Sequence, residues 1–432
     1  MKKLLEKVKK NEFTLGVIGI GRVGLPLALV FAGSGVKVIG IDKNREYVEN
    51  LRKGIKPFHE EGIDKYMKSS NFFPTADILD GIRKSDILIL TVGTPITEHM
   101  RPDYSQLQSA LDEIVKADIR GKMIIMRSTV SPGTLENFVL PFIEKKTGLK
   151  IGDDFGLAMC PERILEGKAI EEVRDLPEIV GTFEEGSRAI AEALFKKINP
   201  EKKMFFTNPK SAELAKLFTN VFRYINFSLA NEFGLLAEEY GEDAHEIIKI
   251  LNAGYTRGGV PVPGLTGGPC LSKDGYYLLS NVVFPDFILT AWRMNEAIPN
   301  HIINRVKKSL RAKGKALHNS KVAVLGLAFK ANIDDTRYSP AVKIVDLLRH
   351  ENADVSIHDP HIEGTSTLEE AVKDADAIIL AMNHSQFRDV HKTIDALKLH
   401  KKGCILADCW GFLDKEEAEK LGFEYIRFGS GK

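Results

Sequence analysis

"TLGVIGIGRVGLPLALVFAGSGVKVIGID" (residues 14–42) is the stretch whose reading decides the fold. It opens on a short run rich in Val and Ile and passes through three glycines. An apolar segment of helical length follows, and a second short run ends at Asp42. Apolar runs on either side of a helix-length segment predict two buried parallel strands with a crossover helix between them. "GIGRVG" (19–24) matches G-x-G-x-x-G at the junction of strand and helix. There Gly19 permits the tight turn, Gly21 lets the backbone approach a pyrophosphate, and Gly24 allows close helix–strand packing. The turn Gly19, Ile20, Gly21, Arg22, Val23 and Gly24 is therefore expected to cradle a dinucleotide at a helix N-terminus, whose N–H groups and dipole favour negative charge. Asp42 is expected to accept hydrogen bonds from the adenine-side ribose and to repel a 2′-phosphate, which favours NAD over NADP.

Further along, "SDILILTVGTP" (85–95) and "GKMIIMRSTV" (121–130) continue the strand series, and Thr94 and Thr129 join the expected cofactor contacts. The pattern recurs near the C-terminus in "KVAVLGLAFK" (321–330), "ADVSIHDP" (353–360), "ADAIILAMNH" (375–384) and "GCILADCWG" (403–411). Between the two lies a helical texture: over residues 211–254 apolar residues recur at i, i+3, i+4 and i+7, as in Leu214, Leu217, Phe218, Val221, Phe222 and Ile225. Residues 285–314 continue it. The expected architecture is α/β: two Rossmann-like doubly wound lobes joined by a helical middle domain with a long central helix. Its boundaries are expected at 1–205, 206–310 and 311–432. "GLAFKAN" lacks the three glycines, so the second lobe is expected to hold a nucleotide by other means.

Composition narrows the class. The chain has 432 residues, 44% hydrophobic and 28% charged, with a formal net charge of +1. That balance gives no electrostatic footprint for nucleic acid or an anionic membrane, so an anionic ligand must be held locally. Cys160, Cys270, Cys404 and Cys409 are sparse and widely spaced. They form neither a disulfide framework nor a zinc pattern, no metal-ligand set is completed elsewhere, and a cytoplasmic location is expected.

One cysteine stands apart. "GLTGGPCLSKDGYY" (264–277) sets Cys270 among glycines, with Lys273 and Asp274 a turn later. On its own such a cysteine reads as a small buried hydrophobe or as a nucleophile. The rest of the chain bears on the choice: "GIGRVGLPLA", "STVSPGT" (128–134), "CPERILEGKA" (160–169), "AELAKLFTNVFRYINFSLANE" (212–232) with "GGPCLSKD", and "GLAFKANIDDTRYSPA" (326–341) occur in order. Across nearly its whole length the sequence resembles the UDP-glucose/GDP-mannose dehydrogenase group, the UDP-sugar 6-dehydrogenases.

The resemblance implies oxidation of a sugar C6 alcohol to a carboxylate with two NAD. A cysteine thiolate adds to the intermediate aldehyde, the thiohemiacetal is oxidised to a thioester, and water hydrolyses it. Cys270 takes the nucleophile's position, and the glycines before it are expected to let the chain approach a bulky substrate. Lys273 is expected beside the thiol and the nicotinamide, where a cation raises the thiolate fraction. Lys216 and Asn220, one turn apart on the middle helix, are implied to stabilise developing negative charge on oxygen. Thr129, Glu162 and Asp274 are implied to position or deprotonate the hydrolytic water, with the choice between Glu162 and Asp274 left open. Glu166 is expected on the nicotinamide side. Lys330 and Arg337 are expected to contact phosphates of the substrate and cofactor.

Arg163, Arg257 and Gly264 complete the implied substrate contacts, Arg257 either within its own chain or, as often in this family, from a neighbouring protomer. "CPER" and "DTRYSPA" lean to the UDP-N-acetylhexosamine branch, whereas the Lys-Asp after Cys270 leans to the UDP-glucose branch. UDP-N-acetyl-D-mannosamine is favoured, ahead of UDP-N-acetylglucosamine and UDP-glucose. A two-electron dehydrogenase of the hydroxyacid or 6-phosphogluconate type would not need Cys270, and a nucleotide-sugar or NAD sensor would not need the acid, base and nucleophile together. The apolar stripe of the middle helix predicts a homodimer.

Overall fold

The computed structural model describes residues 1–279 and 284–431. The chain divides into two compact units, one of Met1–Thr219 with the segment starting at Tyr276, the other of Asn220–Gly275 with the C-terminal remainder. The division falls inside the long helix Pro209–Glu239, between Thr219 and Asn220.

The first unit contains strands β1 (Thr14–Ile18), β2 (Lys37–Ile41), β3 (Phe72–Thr75), β4 (Ile87–Leu90), β5 (Met123–Met126), β6 (Gly156–Met159), β7 (Glu178–Thr182) and β8 (Met204–Thr207). They form one sheet in the order β3-β2-β1-β4-β5-β6-β7-β8. Only the β6–β7 pairing is antiparallel. The order reverses between β1 and β4, and in such sheets ligands bind at the carboxyl ends of the strands flanking the reversal. The helix Gly24–Gly33 after β1 is apolar on every side and buried along nearly its whole length, as a crossover helix inside a two-sided core must be. Pro26 sits in its first turn, where its missing N–H breaks no helical bond.

Four of these strands, β1, β2, β4 and β5, are the runs expected from sequence. The rest escape that reading for physical reasons. β3 and β8 are four-residue edge strands with half-exposed faces, and β3 contains Pro74. β6 (GLAM) has no Val or Ile, and β7 (EIVGT) holds only two such residues between Glu178 and Gly181, so neither makes a continuous run of β-branched residues.

The second unit holds β9 (Lys321–Leu325), β10 (Asp354–His358), β11 (Ala377–Leu380), β12 (Ile405–Asp408) and β13 (Glu424–Arg427) in an all-parallel sheet ordered β10-β9-β11-β12-β13. This is a doubly wound order with its reversal at β9 and β11, so the loops after those strands are the expected ligand loops. Each sheet has an apolar core on both faces, represented by Val17 and Leu90 in the first unit and Val324 and Leu380 in the second. The helical texture over 211–254 resolves into two helices, Pro209–Glu239 and Ala244–Asn252. Gly241 breaks it at φ +71°, and the Asp243 carboxylate caps the second helix by accepting from the His245 and Glu246 amides. Among the described residues, no helix is long and apolar enough to cross a membrane.

Candidate active site

In the first unit the glycine turn has the geometry a dinucleotide needs. Gly19 adopts φ +87°, and a Cβ on Gly24 would lie 2.1 Å from the Gly19 carbonyl oxygen. Around a Cβ at Gly21 there is open space, the gap through which backbone can meet a pyrophosphate. Thr91 Oγ1 donates to the Gly19 carbonyl at 2.7 Å and Tyr47 Oη donates to the Ile20 carbonyl at 2.7 Å. Burial, reinforced by the nearby Asp42 charge, raises the Tyr47 phenol, so it remains a donor. A cavity of about 270 Å³ opens beside the turn, with Gly19, Gly21, Asp42 and Gly93 in its wall. The residues present therefore fit NAD. Arg22 and Glu166 come together at 3.8 Å, with the guanidinium 5.0 Å from the centre of the Phe58 ring. Val23 is the residue preceding the helix.

The same unit carries a second cluster. Lys216 and Glu162 are both buried, with Nζ and Oε2 4.0 Å apart. Glu162 also accepts from the Ile164 amide. Thr129 lies on the loop after β5, where its carbonyl accepts from Thr94 Oγ1 at 2.7 Å. The Thr94 carbonyl in turn accepts from the fully buried Tyr277 hydroxyl. Arg163 donates to the Pro177 carbonyl.

In the second unit Cys270 precedes the short helix Leu271–Asp274, and its carbonyl accepts from the Asp274 amide at 3.0 Å. Asp274 is buried; Asn220 Nδ2 donates to one carboxylate oxygen at 2.6 Å and Lys273 Nζ lies 3.3 Å from the other. Asn220, expected to face developing charge on substrate, thus also orients Asp274. Trp292 supports this helix by donating from Nε1 to the Ser272 carbonyl at 2.6 Å, and it packs on Tyr224 with ring centres 4.0 Å apart and ring planes tilted by 33°.

The glycines before Cys270 are also required by packing. A Cβ on Gly267 would sit 2.5 Å from the Tyr338 carbonyl oxygen, and one on Gly268 2.6 Å from the Phe329 ring. Gly264 would strike Trp410, and its amide donates to Asn231 Oδ1 at 2.9 Å. Packing of the protein on itself fills the space their missing side chains leave.

Of the four cysteines, Cys160, Cys404 and Cys409 are buried and Cys270 is exposed. Burial pushes the Cys404 thiol up to about 12 and the Cys160 and Cys409 thiols well above the usual range, which leaves them poor nucleophiles. Arg337 is held by Asp335, with Nη2 2.6 Å from a carboxylate oxygen, while half its side chain faces solvent. Arg257 is exposed, its guanidinium 5.0 Å from the Tyr255 ring centre.

Two supports were missed in the sequence. His384, fully buried, faces Asp359 through Nε2 at 3.2 Å and accepts from the Asn332 amide through Nδ1 at 2.9 Å. Asp359 accepts from the Leu327 and Ala328 amides, so the pair braces the loop that carries Lys330. The buried Glu213 is the other, and its only local signal is the acidic residue in "AELAK".

Models of the UDP-glucose/GDP-mannose dehydrogenase family match the chain three times: the NAD binding domain over residues 13–199, the central domain over 210–297 and the UDP binding domain over 323–415. The UDP-N-acetyl-D-mannosamine dehydrogenase of Pyrococcus horikoshii is 36% identical over 87% of this chain and 91% of its own length. A UDP-N-acetyl-D-glucosamine 6-dehydrogenase of Pseudomonas aeruginosa is 30% identical over 95% and 99%. The solved UDP-D-ManNAc dehydrogenase of Pyrococcus horikoshii superposes with a TM-score of 0.90 at 34% identity, covering 97% of this chain and 99% of that one.

Proposed function

The chain belongs to the UDP-glucose/GDP-mannose dehydrogenase family of NAD-dependent oxidoreductases, and from that premise we propose that it oxidises the C6 alcohol of UDP-N-acetyl-D-mannosamine to the uronate. The observation that carries the covalent mechanism is the exposed Cys270 at the head of a helix whose Asp274 is oriented by Asn220 and Lys273. The choice of sugar is supported by the similarity to UDP-N-acetyl-D-mannosamine dehydrogenases, that of Pyrococcus horikoshii at 36% identity among them, and by Arg163 after Pro-Glu.

NAD, when bound, accepts two electrons as hydride at each of two oxidations. The chain supplies the rest. Lys216 and Asn220 stabilise negative charge on the C6 oxygen, which lowers the barrier where that charge develops. The Cys270 thiolate adds to the aldehyde carbon and makes it tetrahedral. After the second oxidation it is held as a thioester, from which sulfur leaves as water attacks. Thr129 positions that water, and one of the two buried carboxylates, Glu162 or Asp274, takes its proton. Gly19, Ile20, Gly21, Arg22, Val23, Gly24, Asp42, Thr94 and Glu166 form the cofactor side with Lys273 and Arg337. Arg163, Gly264 and Lys330 contact the sugar nucleotide, with Arg257 reaching in from a neighbouring protomer.

The functional division is 1–205 for cofactor, 206–310 for the helical middle and 311–432 for the nucleotide. The assembly is a homodimer, supported by Phe222, Leu229 and Leu236, which recur every seventh residue along the long helix and are exposed. Three buried cysteines without a disulfide suit the cytoplasm.

Two equivalents of NADH per UDP-N-acetyl-D-mannosamine, with UDP-N-acetyl-D-glucosamine and UDP-glucose turned over more slowly, is the expected result. Cys270→Ser should abolish acid formation. Acid at the wild-type rate from that variant would remove the covalent mechanism, and one NADH per sugar would leave a simple alcohol dehydrogenase.

A further inference from the structure

The loop after β5 must hold Thr129 still, and its anchors can be traced one by one. Ser128 Oγ donates to the Val92 carbonyl at 2.7 Å, and the Ser131 amide donates to Tyr104 Oη at 2.7 Å. Thr134 Oγ1 closes the turn on the Ser131 carbonyl at 2.6 Å. These bonds fix the loop to itself and to the segment after β4. Glu213, on the long helix, supplies a different anchor. Its Oε2 accepts from the Gly133 amide at 2.5 Å and its Oε1 from the Leu135 amide at 2.9 Å. The residue is 1% exposed. Lys216 is three residues further along the same helix and so shares its face. The Lys210–Glu136 pair at 2.8 Å runs in the same direction, but half of each side chain is in water, where such pairs contribute little.

We propose that Glu213 is a positioning residue for the oxidation: its carboxylate ties the loop carrying Thr129 to the helix carrying Lys216, and so fixes the two groups relative to each other. The inference rests on the reading that Thr129 and Lys216 act on the substrate. Glu213 itself need touch neither substrate nor cofactor. A carboxylate suits the task because two amides converge on it and each oxygen takes one. An amide side chain would answer one N–H and oppose the other with its own. The fold gains little from ionisation here: burial pushes the carboxyl up to about 7 in spite of the two amides and Lys210, with Glu136 pushing the same way as burial. A residue kept only for stability would more readily be an uncharged one.

The test is a double-mutant cycle on the full-length enzyme. Glu213→Gln should lower kcat by about tenfold or more while the NAD dissociation constant stays within about twofold, because the glycine turn is untouched. In a Thr129→Ala background the same substitution should lower kcat by no more than about twofold, since groups that act as a unit lose their contribution once. An equal fold-loss in both backgrounds, or a wild-type kcat in Glu213→Gln, overturns the proposal. If Thr129→Ala and Lys216→Ala each retain wild-type kcat, the underlying reading of those residues fails, whatever Glu213→Gln does. Glu213→Asp, which keeps both oxygens but falls a methylene short, carries the same cycle should the Gln variant not fold.

Discussion

At the residue scale, Glu213 also links the site to stability through pH. Its carboxyl is raised from 4.5 to about 7 by burial. A carboxyl raised on folding contributes stability that is present in full below its ordinary value and is lost as pH rises through its folded value. The difference is worth about 3 kcal/mol, with no discount for solvent because the side chain is buried. Urea unfolding at pH 4.5 and pH 8 should show it. Relative to wild type, Glu213→Gln should gain about 3 kcal/mol between the two, whatever its offset at the lower pH. A difference that does not change with pH would place the ionisation of Glu213 outside the folding balance.

At the scale of elements, the loop before Cys270 shows what packing demands of backbone. Gly268 has φ +102°, its amide donates to the Tyr338 carbonyl at 3.0 Å, and a Cβ would meet the Phe329 ring. Gly268→Ala should destabilise the second unit by about 2–5 kcal/mol, combining the strained φ with overpacking. Adding Phe329→Ala should relieve the crowding and leave the strain. Thermal melts would check this: the melting temperature should fall for Gly268→Ala, and an unchanged melting temperature would mean that neither the φ nor the Phe329 contact constrains this position. The same loop shows what was legible in the sequence. The readings of Cys270, Lys216 and Asn220 rest on local motifs and stand as proposals, whereas β1, β2, β4 and β5 are legible as continuous apolar runs, the signature of strands buried on both faces. What stayed hidden was set by partners distant in sequence. Glu213 meets amides 78 and 80 residues away, His384 meets Asp359 at a separation of 25, and the glycines answer to Phe329, Tyr338 and Trp410. No local period encodes such pairings. Edge strands such as β3 and β13 escape for the complementary reason, having too little burial to impose a pattern.

For the whole molecule, the dimer proposed above fixes how many complete sites a mixture of variants can contain. A chain of 48.0 kDa whose exposed Phe222, Leu229 and Leu236 pair with a second copy should run at twice that mass in light scattering, and Phe222→Glu with Leu229→Lys should return it to 48.0 kDa. Sharing of Arg257 across the dimer makes a sharper demand. Arg257→Ala and Cys270→Ser homodimers should each be inactive. In a heterodimer of the two, one site takes Cys270 from the first chain and Arg257 from the second and is intact, while the other site lacks both. Unfolding and refolding equal amounts together gives about half heterodimers, each with one intact site of two, so about a quarter of wild-type activity should return. If Arg257 serves the site of its own chain, no site in any dimer is intact, and the mixture should stay as inactive as its parents.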